Sequence, residues 1–136
     1  MDYSTIILAA AKKANVSGAI LLAICMQETG LNNVTVMQDG GSPTYGVCQV
    51  KFSCAVDLGY KGEPEGLLVI ENNAKYAALM LKKQYDRYDG DYCKAVAAFN
   101  AGSYRESKVK PGYPRNLKYV NEVKSRLDKD MQQYLN

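Results

Sequence analysis

Ser17-Gly18-Ala19-Ile20-Leu21-Leu22-Ala23-Ile24-Cys25-Met26-Gln27-Glu28-Thr29-Gly30 is the stretch on which the fold turns. Ser17 is a residue type that caps a helix N-terminus, and Gly30 one that takes the left-handed turn past a C-terminus. A helix is therefore predicted over about 18–28. From Ala19 to Met26 it is apolar all round, and such a helix belongs at the centre of a domain. Glu28 falls on the stripe of Leu21, Ile24 and Cys25, at i+7, i+4 and i+3 spacing. It also occupies the last helical turn, where the dipole disfavours negative charge, and desolvation acts in the same direction. Both effects favour the protonated acid, moving it from about 4.3 towards roughly 6, as a general acid near neutral pH requires. Position alone leaves open a Glu that turns outward at a frayed helix end.

Outward from this helix, the apolar period predicts four more. The first covers 3–14, with Tyr3, Ile6, Ile7, Ala10 and Ala14 on one face. Between Thr29 and Val50 the helical period disappears. Asn32-Asn33, Asp39-Gly40-Gly41 and Ser42-Pro43 are turn chemistry there, and Tyr45 to Phe52 reads as a short strand or hairpin. The next helix covers 68–86, with Ile70, Ala74, Ala77, Ala78, Leu81 and Tyr85 as its stripe. Asp91 caps a helix whose Tyr92, Ala95, Val96 and Phe99 face the core and which ends at Gly102. A polar loop from Ser103 to Tyr113 leads to Pro114, suited to the first turn of a last helix striped by Tyr119, Val120, Val123, Leu127, Met131 and Tyr134. No repeat or linker divides the chain, so one domain over 1–136 is expected.

Composition narrows the chemistry. A chain of 136 residues buries roughly two-thirds of its unfolded surface, enough for one core. There is no histidine, which excludes Ser-His-Asp triads, Cys-His dyads and every His-containing zinc site. Carboxylate chemistry survives, and glycoside cleavage is its commonest form. The four cysteines, at 25, 48, 54 and 93, form no CxxC pair, and no metal or cofactor is expected. Cys25 and Cys93 read as small core residues. Cys48 and Cys54 are near enough in sequence to bridge in an oxidising compartment, but free thiols are the expectation. The net charge is +3, yet Tyr104 to Lys129 carries eight basic and three acidic residues. A polyanionic partner and a solvated helix face both fit that bias. No apolar run approaches the ~20 residues that span a bilayer, and the N-terminus lacks the pattern of a signal peptide.

Five short segments together resemble the SLT-type lytic transglycosylases, relatives of goose-type lysozyme. Glu28-Thr29-Gly30-Leu31-Asn32 matches E-[ST]-x-[FL]-x, and eighteen residues on from Glu28, Gly46-Val47-Cys48-Gln49-Val50 matches G-L-M-Q-[IL]. Glu71-Asn72-Asn73-Ala74 is similar to E-x-N-[IV]. Gly90-Asp91, then Ala95-Val96-Ala97-Ala98-Phe99-Asn100-Ala101-Gly102, resembles G-D-…-A-L-A-A-Y-N-A-G. Asn116-Leu117-Lys118-Tyr119-Val120 falls where the family has R-N-Y-V. Each box is weak alone, but five in order over about 17–127 are specific.

The resemblance implies a mainly α, lysozyme-like domain with a small β-ribbon lobe, its cleft between Glu28 and the 45–50 segment. It implies cleavage of peptidoglycan glycan strands without a cofactor, with Glu28 as acid and then base and 1,6-anhydro-muramic acid ends as product. Gln49 matches a groove residue, and Gly46 a position where backbone approaches the sugar. Asn100 matches an amide that binds substrate or holds the Glu, and Tyr119 a phenol set against the carboxylate. Phe99 departs from the family's Tyr. Val47 and Cys48 replace Leu and Met, which is expected to narrow the apolar groove wall. Tyr45 and Tyr104 are candidates for sugar stacking. A hydrolytic muramidase that uses Glu28 with Asp39 or Asp57 is the nearest alternative, and an inactive glycan-binding or virion module another. A monomer acting on the bacterial wall is expected, encoded by a phage as an endolysin or as a fragment of a virion protein, with no nucleic-acid partner and no membrane insertion.

Overall fold

The computed structural model describes residues 2–37 and 41–136, and the expectation placed on Asp39 lies outside them. Helix α1 (Tyr3–Ala14) begins where Asp2 accepts a hydrogen bond from the Ser4 amide at 2.9 Å. It ends in a left-handed turn at Asn15. Helix α2 (Gly18–Thr29) is capped by Ser17, whose hydroxyl accepts from the Ile20 amide, and closes at Gly30 with φ of 65°. As its all-apolar sequence predicts, α2 runs through the core: Ile20, Leu21, Ile24 and Cys25 have no exposed surface.

A short antiparallel sheet follows, in the order β1 (Thr35–Val36), β2 (Thr44–Tyr45), β3 (Val50–Lys51). Tyr45 pairs with Thr35 on one side and with Val50 on the other. The strand expected to reach Phe52 stops at Lys51, because Phe52 opens helix α3 (Phe52–Asp57). A 3₁₀ turn at Pro64–Leu68 leads into α4 (Ile70–Arg87), which packs against α1 and α5 (Tyr92–Ala101). Asp91 caps α5 as predicted, accepting from the Lys94 amide at 3.1 Å.

The larger departures lie at the last helix and at the cysteines. The last helix is not continuous: α6 (Leu117–Lys124) is followed by a tight turn and then by α7 (Lys129–Gln132). The amides of Arg126 and Leu127 reach back only three residues, to Val123 and Lys124, and Asp128 is extended before α7 begins. The turn drives Leu127 and Leu135 inward and leaves Tyr134 half exposed, although Tyr134 was placed on the apolar stripe. Pro114 does not start a helix either; it bridges to Glu106 across the preceding loop.

The second concerns the cysteines. Cys25 and Cys48 form a disulfide across a Cα separation of 4.3 Å, while Cys54 and Cys93 are free. The free thiol expected at Cys48 is instead bonded, and the bridge to Cys54 that sequence spacing allowed does not form. The turn after β2 lies directly on the middle of α2, so Cys48 meets a residue 23 positions away. With Val47 it is fully buried, so neither residue forms a groove wall.

Candidate active site

Glu28 sits one turn beyond Cys25 on α2, partly exposed at the end of an otherwise buried stripe. The helix end beneath it is pinned on two sides. Thr29 donates from its hydroxyl to the Val47 carbonyl at 2.7 Å, and the same hydroxyl accepts from the Asn32 amide. On the other side, Gln27 donates to Glu122 of α6 at 2.8 Å and accepts from Arg126 at 3.0 Å. These ties set α2 and α6 in register, and Tyr119 of α6 donates its phenolic hydrogen to Glu28 Oε2 at 2.7 Å.

The electrostatics follow from burial. Desolvation raises the Glu28 carboxyl above its ordinary value, and the Tyr119 hydrogen bond lowers it by less. Tyr119 is pushed up in turn, first by burial and then by the charge and hydrogen bond of Glu28, so it remains a donor. The pair therefore holds a carboxyl that gives up its proton reluctantly beside a phenol that fixes its direction.

Glu28 opens into a cavity of about 240 Å³ lined by Gln49, Asn100 and Phe99, with Lys51 and Cys54 on the β-lobe side. Of the residues singled out from the sequence, Glu28, Gln49 and Asn100 share this space, and Tyr119 reaches it through Glu28. Among the described lining residues Glu28 is the only carboxylate. Gly46, Tyr45, Tyr104 and Asp57 do not line the cavity. A separate groove of about 480 Å³ between α1 and α4, lined by Ile6, Ala10 and Leu79, contains none of the candidate residues.

Gln49 is largely committed to its own lobe. Its φ is 54°, its side-chain nitrogen donates to the carbonyls of Val34 and Gly46, and its oxygen accepts from Thr44. Asn100 is more available: its oxygen accepts from Asn116 at 3.0 Å, and the same Asn116 nitrogen donates to the Ala97 carbonyl.

Gly46 is required inside the protein. Its φ is 79°, and a Cβ there would lie 2.3 Å from the side-chain nitrogen of Asn73. Asn73, on α4, has no exposed surface. It donates to the carbonyls of Tyr45 and Leu67 at 2.7 and 2.8 Å and accepts from the Cys48 amide at 2.8 Å. One side chain thus joins the β lobe to the helical body. The sequence marks Asn73 only as part of a helix-start motif, while Thr44, Lys51, Cys54 and Met80 carry no local signal of cavity lining.

Among the described residues no cluster of His, Cys, Asp and Glu suits a metal ion, and no helix is long and apolar enough to cross a membrane.

Comparison with known proteins bears on the family and the fold. The family model described as the transglycosylase SLT domain matches residues 5–121. Among solved structures, an inactive mutant of lytic transglycosylase Slt from Pseudomonas aeruginosa is similar with a TM-score of 0.64 at 17% identity, over 96% of this chain and 22% of that one. The 70 kDa soluble lytic transglycosylase Slt70 from Escherichia coli is similar with a TM-score of 0.63 at 20% identity, over 98% of this chain and 20% of that one. This chain thus spans about a fifth of the length of either structure, and the likeness is one of fold.

Proposed function

This chain belongs to the transglycosylase SLT domain family, and on that premise we propose that it cleaves peptidoglycan glycan strands with Glu28 as its single acid and base. At the level of the family the activity is lytic transglycosylation. The bond cut is the β-1,4 link between N-acetylmuramic acid and N-acetylglucosamine. Glu28 gives its proton to the glycosidic oxygen as the bond from that oxygen to C1 breaks. The resulting carboxylate then takes the proton of the muramic acid C6 hydroxyl, whose oxygen closes onto C1. No water is consumed, and the product ends in a 1,6-anhydro ring.

The observation that carries this reading is a partly buried, proton-retaining Glu28 in a cavity with no second carboxylate among its described lining residues. Hydrolysis with retention or inversion uses two carboxyls on either side of the bond, whereas an internal hydroxyl nucleophile needs one. Asp57, a candidate partner for hydrolysis, lies outside this lining. Tyr119 orients Glu28, and Asn100 is placed to hydrogen-bond a sugar substituent. Gln49, Gly46 and Asn73 act by holding the lobe that forms the opposite wall.

The test is Glu28→Gln, which keeps the shape and removes the proton. The variant should fold with unchanged circular dichroism and lose clearing of a wall suspension. Retention of even a tenth of wild-type activity would rule out the single-acid reading.

A further inference from the structure

The loop between α5 and α6 is built as a hairpin. The amides of Ser107 and Arg115 donate to the carbonyls of Tyr113 and Arg105, each at 2.7 Å, which closes residues 105–115 on themselves. At the tip, the Ser107 hydroxyl accepts from the amides of Val109 and Lys110 at 3.2 and 3.0 Å. The chain turns back at Gly112, whose φ is 88°, and the Tyr113 amide donates to the Lys110 carbonyl.

These bonds hold Val109 out in water. It is 94% exposed, more than any other large apolar side chain among the described residues. Lys108 and Lys110 flank it, and Arg105 and Arg115 stand at the base of the hairpin, against the one carboxylate of Glu106. All four cations are exposed, and none makes an ion pair among the described residues. Tyr113 is half exposed behind the tip, with the Lys110 ammonium 4.2 Å from its ring centre. A soluble polyanion would be met by the cations alone and gives an apolar tip no reason to be fixed in place. An apolar tip backed by a tyrosine and by cations instead follows the layers of a membrane surface, from acyl boundary to headgroups.

We infer that the 105–115 hairpin docks on an anionic lipid surface, with Val109 entering the acyl boundary and the four cations meeting lipid phosphates. The protein rests on that surface and does not span it. Tyr113 lies at headgroup level, where its hydroxyl stays hydrated while its ring is covered. The hairpin begins a few residues after Gly102, a lining residue of the Glu28 cavity, so docking brings that cavity close to the lipid. The docking itself is independent of the chemistry at Glu28.

The experiment is co-sedimentation of the full chain with vesicles of phosphatidylglycerol and phosphatidylcholine in equal parts, beside vesicles of phosphatidylcholine alone. Only the anionic vesicles should bind, and added salt should release the protein. Each cation at such a surface contributes roughly fivefold, so the double variant Lys108→Ala, Lys110→Ala should bind about 25-fold more weakly. Val109→Ser keeps every charge and should weaken binding roughly three- to tenfold. All variants should keep the circular dichroism of the wild type and its rate on soluble glycan strands, since none of these residues touches the Glu28 cavity. Long-chain polyphosphate supplies the competing outcome. If it binds as tightly as the anionic vesicles, and Val109→Ser matches the wild type on both, the hairpin is a polyanion site and the lipid assignment falls. Equal binding to both kinds of vesicle, binding to neither, or no loss in the double variant overturns it as well.

Discussion

Asn73→Ala is the substitution whose cost is most directly readable. The side chain has no contact with solvent, and its removal takes partners from three backbone groups: the Cys48 amide and the carbonyls of Tyr45 and Leu67. A buried polar group left without a partner costs about 1–3 kcal/mol, so three set an upper bound of about 9 kcal/mol. Water entering the space vacated by the amide recovers part of this, and a net loss of about 3–5 kcal/mol is expected. Against a total stability of about 5–15 kcal/mol for a domain, that is a large share. The midpoint of thermal unfolding should fall by about 10–20 °C for a chain of this size. Urea unfolding followed by circular dichroism should show a lower midpoint with an unchanged slope. Asn73→Asp keeps the acceptor for Cys48 but turns a carboxylate on two carbonyls, and it should be no more stable than Asn73→Ala. A loss below about 1 kcal/mol for Asn73→Ala would refute the claim that this residue joins the lobe to the body.

Two further predictions concern the site and its frame. Tyr119→Phe removes one donor to Glu28, so stability should fall by no more than about 1–2 kcal/mol while activity falls roughly 10- to 1000-fold. Activity needs protonated Glu28 and is lost as pH rises through its pKa; the Tyr119 bond lowers that pKa, so without it the falling limb should move to higher pH. A limb that stays in place or moves to lower pH contradicts the assignment. Reduction of Cys25–Cys48, which closes a loop with a sequence separation of 23, should cost about 3 kcal/mol and lower the unfolding midpoint by about 10 °C. Identical melting curves with and without reductant would mean that the bond does not form in solution.

Much of the helical body is legible in the chain, because its signals are local. Ser17, Gly30, Asp91 and Gly102 mark helix ends by their own chemistry, and the unbroken apolar run of α2 announces a central helix. Glu28 stands out for the same reason, as an acid continuing an apolar stripe. What the sequence withholds depends on contacts between distant segments. The Cys25–Cys48 bond exists because the turn after β2 lies on α2, and neither cysteine's neighbours reveal that. Gly46 suggests a backbone near a sugar, but the space beside it belongs to Asn73, donated by another helix. The break between α6 and α7 is hidden because the apolar stripe continues across it, with Asp128 as the one local hint.

The central claim is that a single carboxyl cuts the strand without water. Mass spectrometry of purified wall digested by this protein tests it most directly, because anhydro and reducing ends differ in mass by one water. The account predicts muropeptides ending in 1,6-anhydro-muramic acid, produced by the wild type and absent with Glu28→Gln. Dominant reducing ends, lost on substitution of Asp57 or Asp39, would contradict it and make the enzyme a hydrolase.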